Sequence, residues 1–201
     1  MKRCDAKVGC GKTKCSPFKT MLEYGGRGRK SMVESRAAAG GMPSLLIISC
    51  SAAKHRKPKA PVAALDRYDG VLFKVIKKYI REHGWPHGME IAIISARYGL
   101  ISAEQPIVWY EQRLNRSRAA ALREPVRVGL RRMVVSAKPV SIHVNMGRAY
   151  GDMIVSLPEL DGAVWASGGI GCRAAQLKRW LDGNLKPARV EASGFTGGCV
   201  D

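Results

Sequence analysis

Asp69 is the acid in this chain whose setting invites chemistry. It follows the aromatic Tyr68, precedes Gly70, and comes after the basic burst Lys54-His55-Arg56-Lys57. A carboxylate in such surroundings can orient water or steady a cationic sugar while a glycosidic bond is cut. The same acid stands just before the periodic apolar segment that begins at Val71. It therefore also fits a helix N-cap, where it would satisfy orphan N–H groups. One Asp can do both.

Other loops offer ligand-binding groups. After the apolar run 45–49, Ser49, Cys50 and Ser51 let backbone approach a ligand closely, and Lys54 and Arg56 can neutralise a phosphate. A solvated basic surface loop has the same composition. A second run leads into Ser95-Ala96-Arg97-Tyr98-Gly99-Leu100-Ile101. There Ser95 can hydrogen-bond a base, Arg97 suits a phosphate, and Tyr98 offers a stacking face. Trp109 and Tyr110 precede Arg113, and aromatic rings interleaved with Arg serve an extruded base, stacking being worth about 1–3 kcal/mol per base. Such rings also anchor long loops to cores. Asn145, with Arg148 close behind, can pair bidentately with a base edge. Gly168 and Gly169 expose N–H groups at the start of a helix, or simply make a tight turn.

Two further patterns lack their context. Ala6-Lys7-Val8-Gly9-Cys10-Gly11-Lys12-Thr13 matches a relaxed phosphate loop, yet Met1-Lys2-Arg3-Cys4-Asp5 is not the buried strand that such a loop must leave. Cys4, Cys10 and Cys15 miss the usual zinc-knuckle spacing and have no fourth ligand close by. Reduced thiols are the expectation, with no metal and no other cofactor.

What must position these loops is an alternation of short apolar runs with amphipathic stretches. Strands are predicted at 45–49, 90–95, 140–144 and 163–166, and helices at 70–82, 117–137, 148–157 and 171–181. Short, wholly apolar strands are those buried on both faces of a parallel sheet. The pattern predicts a three-layer α/β/α fold around a central, mostly parallel four-stranded sheet. Ligands of such sheets bind beyond the strand carboxyl ends, where all the loops above fall.

The chain of 201 residues is long enough for one full-sized domain. Its 34 Lys and Arg against 16 Asp and Glu leave a net charge of +18, which speaks of polyanionic partners and salt-sensitive binding. Residues 1–41 hold ten Lys or Arg and three acids without sustained apolar periodicity, and read as a basic arm. Residues 42–201 read as a single α/β domain, with Met42 either a linker residue or a start site. Residues 113–138 carry eight Lys or Arg and one acid, Glu124. Among them Arg116, Arg123, Arg127 and Arg131 recur at near-helical spacing, although Pro125 threatens that helix. No apolar run approaches membrane-spanning length, and the amino terminus has no signal-peptide pattern. A cytoplasmic monomer without membrane partners is expected.

The succession Leu46-Ile47-Ile48-Ser49-Cys50-Ser51-x-x-Lys54, Tyr68-Asp69-Gly70-x-x-Phe73, Ser95-Ala96-Arg97-Tyr98-Gly99-Leu100, Met146-Gly147-x-x-Tyr150 and Gly168-Gly169-Ile170-Gly171 resembles a known group. It is similar to small bacterial and phage proteins related to the peroxide-stress (YaaA-like) proteins and, more remotely, to the uracil-DNA-glycosylase superfamily. The resemblance spans roughly residues 45–181. It implies DNA binding at the strand carboxyl ends, base flipping from double-stranded DNA and metal-free hydrolysis of an N-glycosidic bond, in DNA repair or phage defence. On that basis Asp69 would be catalytic. Ser51, Tyr68, Ser95, Tyr98, Tyr110 and Asn145 would surround the base. Lys54, Arg56, Arg97, Arg113, Arg116, Arg148, Gly168 and Gly169 would hold phosphates. The chain departs from the superfamily in having no acid in the loop directly after the first strand. A non-catalytic DNA-binding stress protein and a ribosyl-transfer enzyme for free nucleosides or nucleotides are the alternatives.

Deleting residues 1–41 should leave a domain that unfolds cooperatively, because the first core strand begins after Met42. Loss of a cooperative transition in the truncated protein, followed by circular dichroism on heating, would place the boundary elsewhere.

Overall fold

A computed structural model describes residues 42–184. The predicted arm over 1–41, with Cys4, Cys10 and Cys15, lies outside the described residues. Strand β1, Ser44–Ser49, is the centre of the sheet. It pairs in parallel with β3, Met89–Ser95, on one side and with β6, Ser141–Asn145, on the other. Leu46 stands opposite both Ile91 and His143. Strand β7, Val164–Trp165, extends the sheet in parallel beyond β6. A strand with neighbours on both edges and helices on both faces has no solvent side. Leu45, Leu46, Ile47 and Ile48 are accordingly all fully buried.

The two faces of β1 define the layers. Leu46 and Ile48 pack with α2, Val71–His83, and α5, Ile170–Asn184, through Phe73, Ile76, Tyr79, Leu177 and Leu181. Leu45 and Ile47 pack on the opposite side with α3, Arg116–Ala137, through Leu122, Val126 and Leu130. Met153, Ile154, Leu157 and Leu160 complete that side. The protein is a three-layer α/β/α fold.

The sheet has five strands where four were predicted. The addition is β4, Gly99–Ser102, which runs antiparallel along the outer edge of β3. Gly99 sits at a φ of 74°, a backbone state open to glycine, so the chain reverses directly after β3. The segment is too short for its alternation to be read from sequence. Two residues of β2, Val62–Ala63, pair with two of β5, Pro106–Ile107, in a small separate ribbon. The single turn α1, Ala64–Arg67, follows β2 directly.

One predicted helix holds despite its proline, and another is cut short. Helix α3 runs through Pro125 for 22 residues, and Asn115 caps it by accepting the Arg118 N–H at 2.8 Å. The helix predicted over 148–157 stops after α4, Arg148–Gly151, and the chain continues in turns to a 3₁₀ segment at Pro158–Leu160. Met153, Ile154, Leu157 and Leu160 are all buried, an apolar set that mimicked a longer helix in the sequence.

His143 lies on the α5 face of β6, buried and stacked on Trp180 with ring centroids 5.2 Å apart. Burial lowers its pKa from 6.5 to about 4. The unfolded chain therefore binds a proton that the folded one refuses in this window. The contribution of His143 to stability is complete above pH 6.5 and is lost as pH falls towards 4. The loss should reach about 3 kcal/mol, and His143→Phe should flatten that part of the profile; urea unfolding between the two pH values measures it.

Candidate functional site

The chain leaves β1 for β3 on one side and later crosses to β6 on the other, so the β1–β6 border is the point at which strand order reverses. Helices leave such a border on opposite faces and open a crevice at the carboxyl ends. Here two cavities fill it. A smaller one of about 300 Å³ lies against Ser49, Gly70, Phe73, Gly147 and Arg173. A larger one of about 600 Å³ is bounded by Lys54, Arg56, Trp109, Tyr110, Glu111 and Arg113. Cys50, Ser51 and Tyr150 belong to both walls. The Cys50 thiol and the Tyr150 hydroxyl meet at 3.2 Å in that shared wall.

The loop from β1 to α1 owes its shape to Arg67, which is fully buried. Its guanidinium donates to the carbonyls of His55 at 2.8 Å, Pro58 at 3.0 Å and Ala60 at 2.7 Å. The His55 N–H returns to the Arg67 carbonyl and the Asp69 N–H to that of Ala53, each at 2.9 Å. Ser51 donates its hydroxyl to the Ala53 carbonyl. The glycine of Tyr-Asp-Gly is required by this packing, since a Cβ at Gly70 would come within 2.6 Å of Ser51 Cβ. Arg67 was not singled out in the sequence; with Asp66 before it and Tyr68 after it, it looks like an ordinary surface residue there.

The Asp69 carboxylate lies 3.4 Å from His55 Nε2 and forms an ion pair with Lys74 at 3.6 Å, and it lines neither cavity. Nor is it the cap of α2, a position taken by Gly70 without any side-chain bond. Its role in the structure is to brace the basic loop against the first turn of that helix.

Three of the residues expected to touch a base are sealed in the core. Tyr68, Ser95 and Asn145 are each 0% exposed. Tyr110 bonds Tyr68 through the two hydroxyls at 2.7 Å and Ser95 at 2.8 Å. Ser95 also accepts the N–H groups of Arg97 and Tyr98, both at 3.2 Å, and so shapes the turn after β3. Burial holds the phenols of Tyr68 and Tyr110 well above their usual range, so both stay protonated. Asn145 donates to the Arg173 carbonyl at 2.9 Å and ties β6 to α5.

The cations, by contrast, gather over aromatic rings. Lys54 Nζ stands 4.5 Å from the Tyr110 centroid and 5.9 Å from that of Tyr68. Arg56 lies 5.2 Å over Trp109, and Arg97 5.6 Å over Tyr98. Burial lowers the Lys54 pKa, against the opposing pull of Cys50 and Glu111. Glu111, the carboxylate in the wall of the larger cavity, was missed in the sequence because nothing local sets it apart.

The remaining expected phosphate ligands are scattered. Arg116, Arg148, Gly168 and Gly169 are exposed and line neither cavity. The helical row of arginines is divided in use. Arg127 bonds Ser156 at 2.9 Å, and Arg131 pairs with Glu159 at 3.1 Å. Beside the row, Arg118 holds the carbonyls of Ala96 and Arg97. Among the described residues, only Arg116 and Arg123 of that row have side chains without such partners. Among the described residues no cluster of His, Cys, Asp and Glu could hold a metal, and no helix is long and apolar enough to cross a membrane.

Fold and crevice define an α/β protein with a doubly wound sheet and a ligand-sized opening at the reversal of strand order. Residues 45–182 match a family of unknown function, DUF6884, and the chain belongs to that family. Neither a curated protein nor a solved structure matches it.

Arg67→Ala should destabilise the protein by about 3 kcal/mol, since three loop carbonyls lose their shared donor and a fully buried side chain leaves a void. Arg67→Lys should recover only part, lacking the planar fork. Urea denaturation reads both, and a cost near zero would show that the loop holds itself.

Proposed function

We propose that this protein is a DNA glycosylase that takes an extruded, modified base into the larger cavity and hydrolyses its N-glycosidic bond, leaving an abasic site. The observation that carries this reading is the rim of that cavity, where Lys54 and Arg56 are each seated over an aromatic ring. Rings stack on a base of any sequence while cations meet the flanking phosphates. The volume of about 600 Å³ suits a base with its sugar. Extrusion costs a few kcal/mol, a sum that stacking against the exposed Trp109 can offset.

Glu111 is the carboxylate best placed for the chemistry, because it lines the cavity while Asp69 is engaged elsewhere. As the bond from C1′ to the base nitrogen breaks, its electron pair leaves with the base and positive charge grows on the sugar. The carboxylate steadies that charge and takes a proton from the water whose oxygen bonds C1′. The departing base gains a proton from solvent. Ammonium and guanidinium groups at the rim fix the backbone during this step.

DNAs carrying different base modifications, incubated with the protein and treated with alkali, should break at abasic sites, with the released base identified by mass spectrometry. Glu111→Gln should lower excision by at least about 100-fold with binding retained, whereas Asp69→Asn should keep most of it. Loss confined to Asp69→Asn would return the catalytic role to that acid. Binding without strand breakage on any DNA would mark a non-catalytic binder, and turnover of free nucleosides without DNA affinity a ribosyl-transfer enzyme.

A further inference from the structure

We infer that the smaller cavity is a binding site for a phosphate monoester, with Arg173 as its counter-ion. Arg173 lines this cavity, and among the described residues its side chain has no hydrogen-bond or ion-pair partner. Although the residue is half-buried, its Nε is cut off from solvent and has no acceptor. An anion accepting from this guanidinium would offset the cost of leaving it unpaired.

The rest of the wall favours the same ligand. Among the described residues no Asp or Glu lines the cavity, while Ser49, Ser51 and Tyr150 belong to its wall. Gly70, Val71 and Leu72 form part of the wall at the start of α2, a helix of 13 residues. That helix has no side-chain cap and no acid within its first turn, the nearest carboxylate being that of Asp69, which is held by Lys74. Helix α5 contributes Ile170 and Arg173 and also lacks an acid in its first turn. Val71, Phe73 and Ile170 make the surroundings apolar, which strengthens an arginine–phosphate pair. Through the shared wall of Cys50, Ser51 and Tyr150, the bound phosphate would adjoin the larger cavity. A nucleotide end or a free nucleotide can then span both. The inference concerns anion capture and holds whether or not a base is excised.

Titration calorimetry on the full chain tests it with inorganic phosphate, deoxyadenosine 5′-monophosphate, deoxyadenosine, and an oligonucleotide with or without a 5′-phosphate. Phosphate should bind, and Arg173→Gln should weaken it about tenfold or more, while Arg179→Gln, exposed on the same helix and outside the cavity, should not. Arg173→Lys should fall between wild type and Arg173→Gln, and unchanged thermal midpoints without phosphate show that the variants fold. Tighter binding of the monophosphate than of either phosphate or nucleoside identifies a nucleotide, and preference for the 5′-phosphorylated oligonucleotide a DNA end. No phosphate binding by the wild-type chain, or equal affinities of wild type and Arg173→Gln, overturns the inference.

Discussion

Burial of β1 on both faces is the constraint from which the rest follows. A strand flanked by β3 and β6 and roofed by helices on each side is apolar from Leu45 to Ile48, and these residues alternate between two separate cores. Polar chemistry is thereby expelled to its carboxyl end. Ser49, Cys50 and Ser51 are the first residues free to offer hydroxyl and thiol groups, and they do so at the reversal of strand order. The position of the crevice is a consequence of packing before it is a consequence of any ligand.

Positive charge is organised by that same geometry and divides into two kinds. Arg67, Arg118, Arg127 and Arg131 spend their guanidinium groups on carbonyls, a hydroxyl and an acid of the protein itself. Lys54, Arg56 and Arg97 rest on aromatic faces, which hold a cation in place while leaving its donors available. The charge surplus of the sequence is thus partly architectural. A count of Lys and Arg overstates how many meet a polyanion.

The strands and the longer helices were legible because their signals are local. An apolar run such as Leu45-Leu46-Ile47-Ile48 or the period of α2 reports burial directly. Gly99-Leu100-Ile101-Ser102 was read as a ligand loop because four residues beside a glycine turn carry too little pattern to announce a strand. The site was legible at the level of loops and only partly at that of side chains. Lys54, Arg56, Tyr110 and Arg113, all singled out in the sequence, line one cavity, the first two from the loop after β1 and the others from the loop after β5. Sequence could not tell that Tyr68, Ser95 and Asn145 point inward, because a polar residue at a strand end is equally suited to a ligand or to a buried bond. Nor could it find Glu111 or Arg173, whose importance comes only from what the fold sets beside them.

The hydroxyls of Ser95, Tyr110 and Tyr68 have a direction as well as a connection. Ser95 Oγ accepts two backbone N–H groups, which occupy both of its lone pairs. Its proton must therefore point to Tyr110, and the Tyr110 proton to Tyr68. Three O–H dipoles are aligned head to tail beneath the Lys54 ammonium, and the order cannot invert while the turn after β3 keeps its shape. The row is a fixed vector in the floor of the crevice, set by two main-chain amides at its far end.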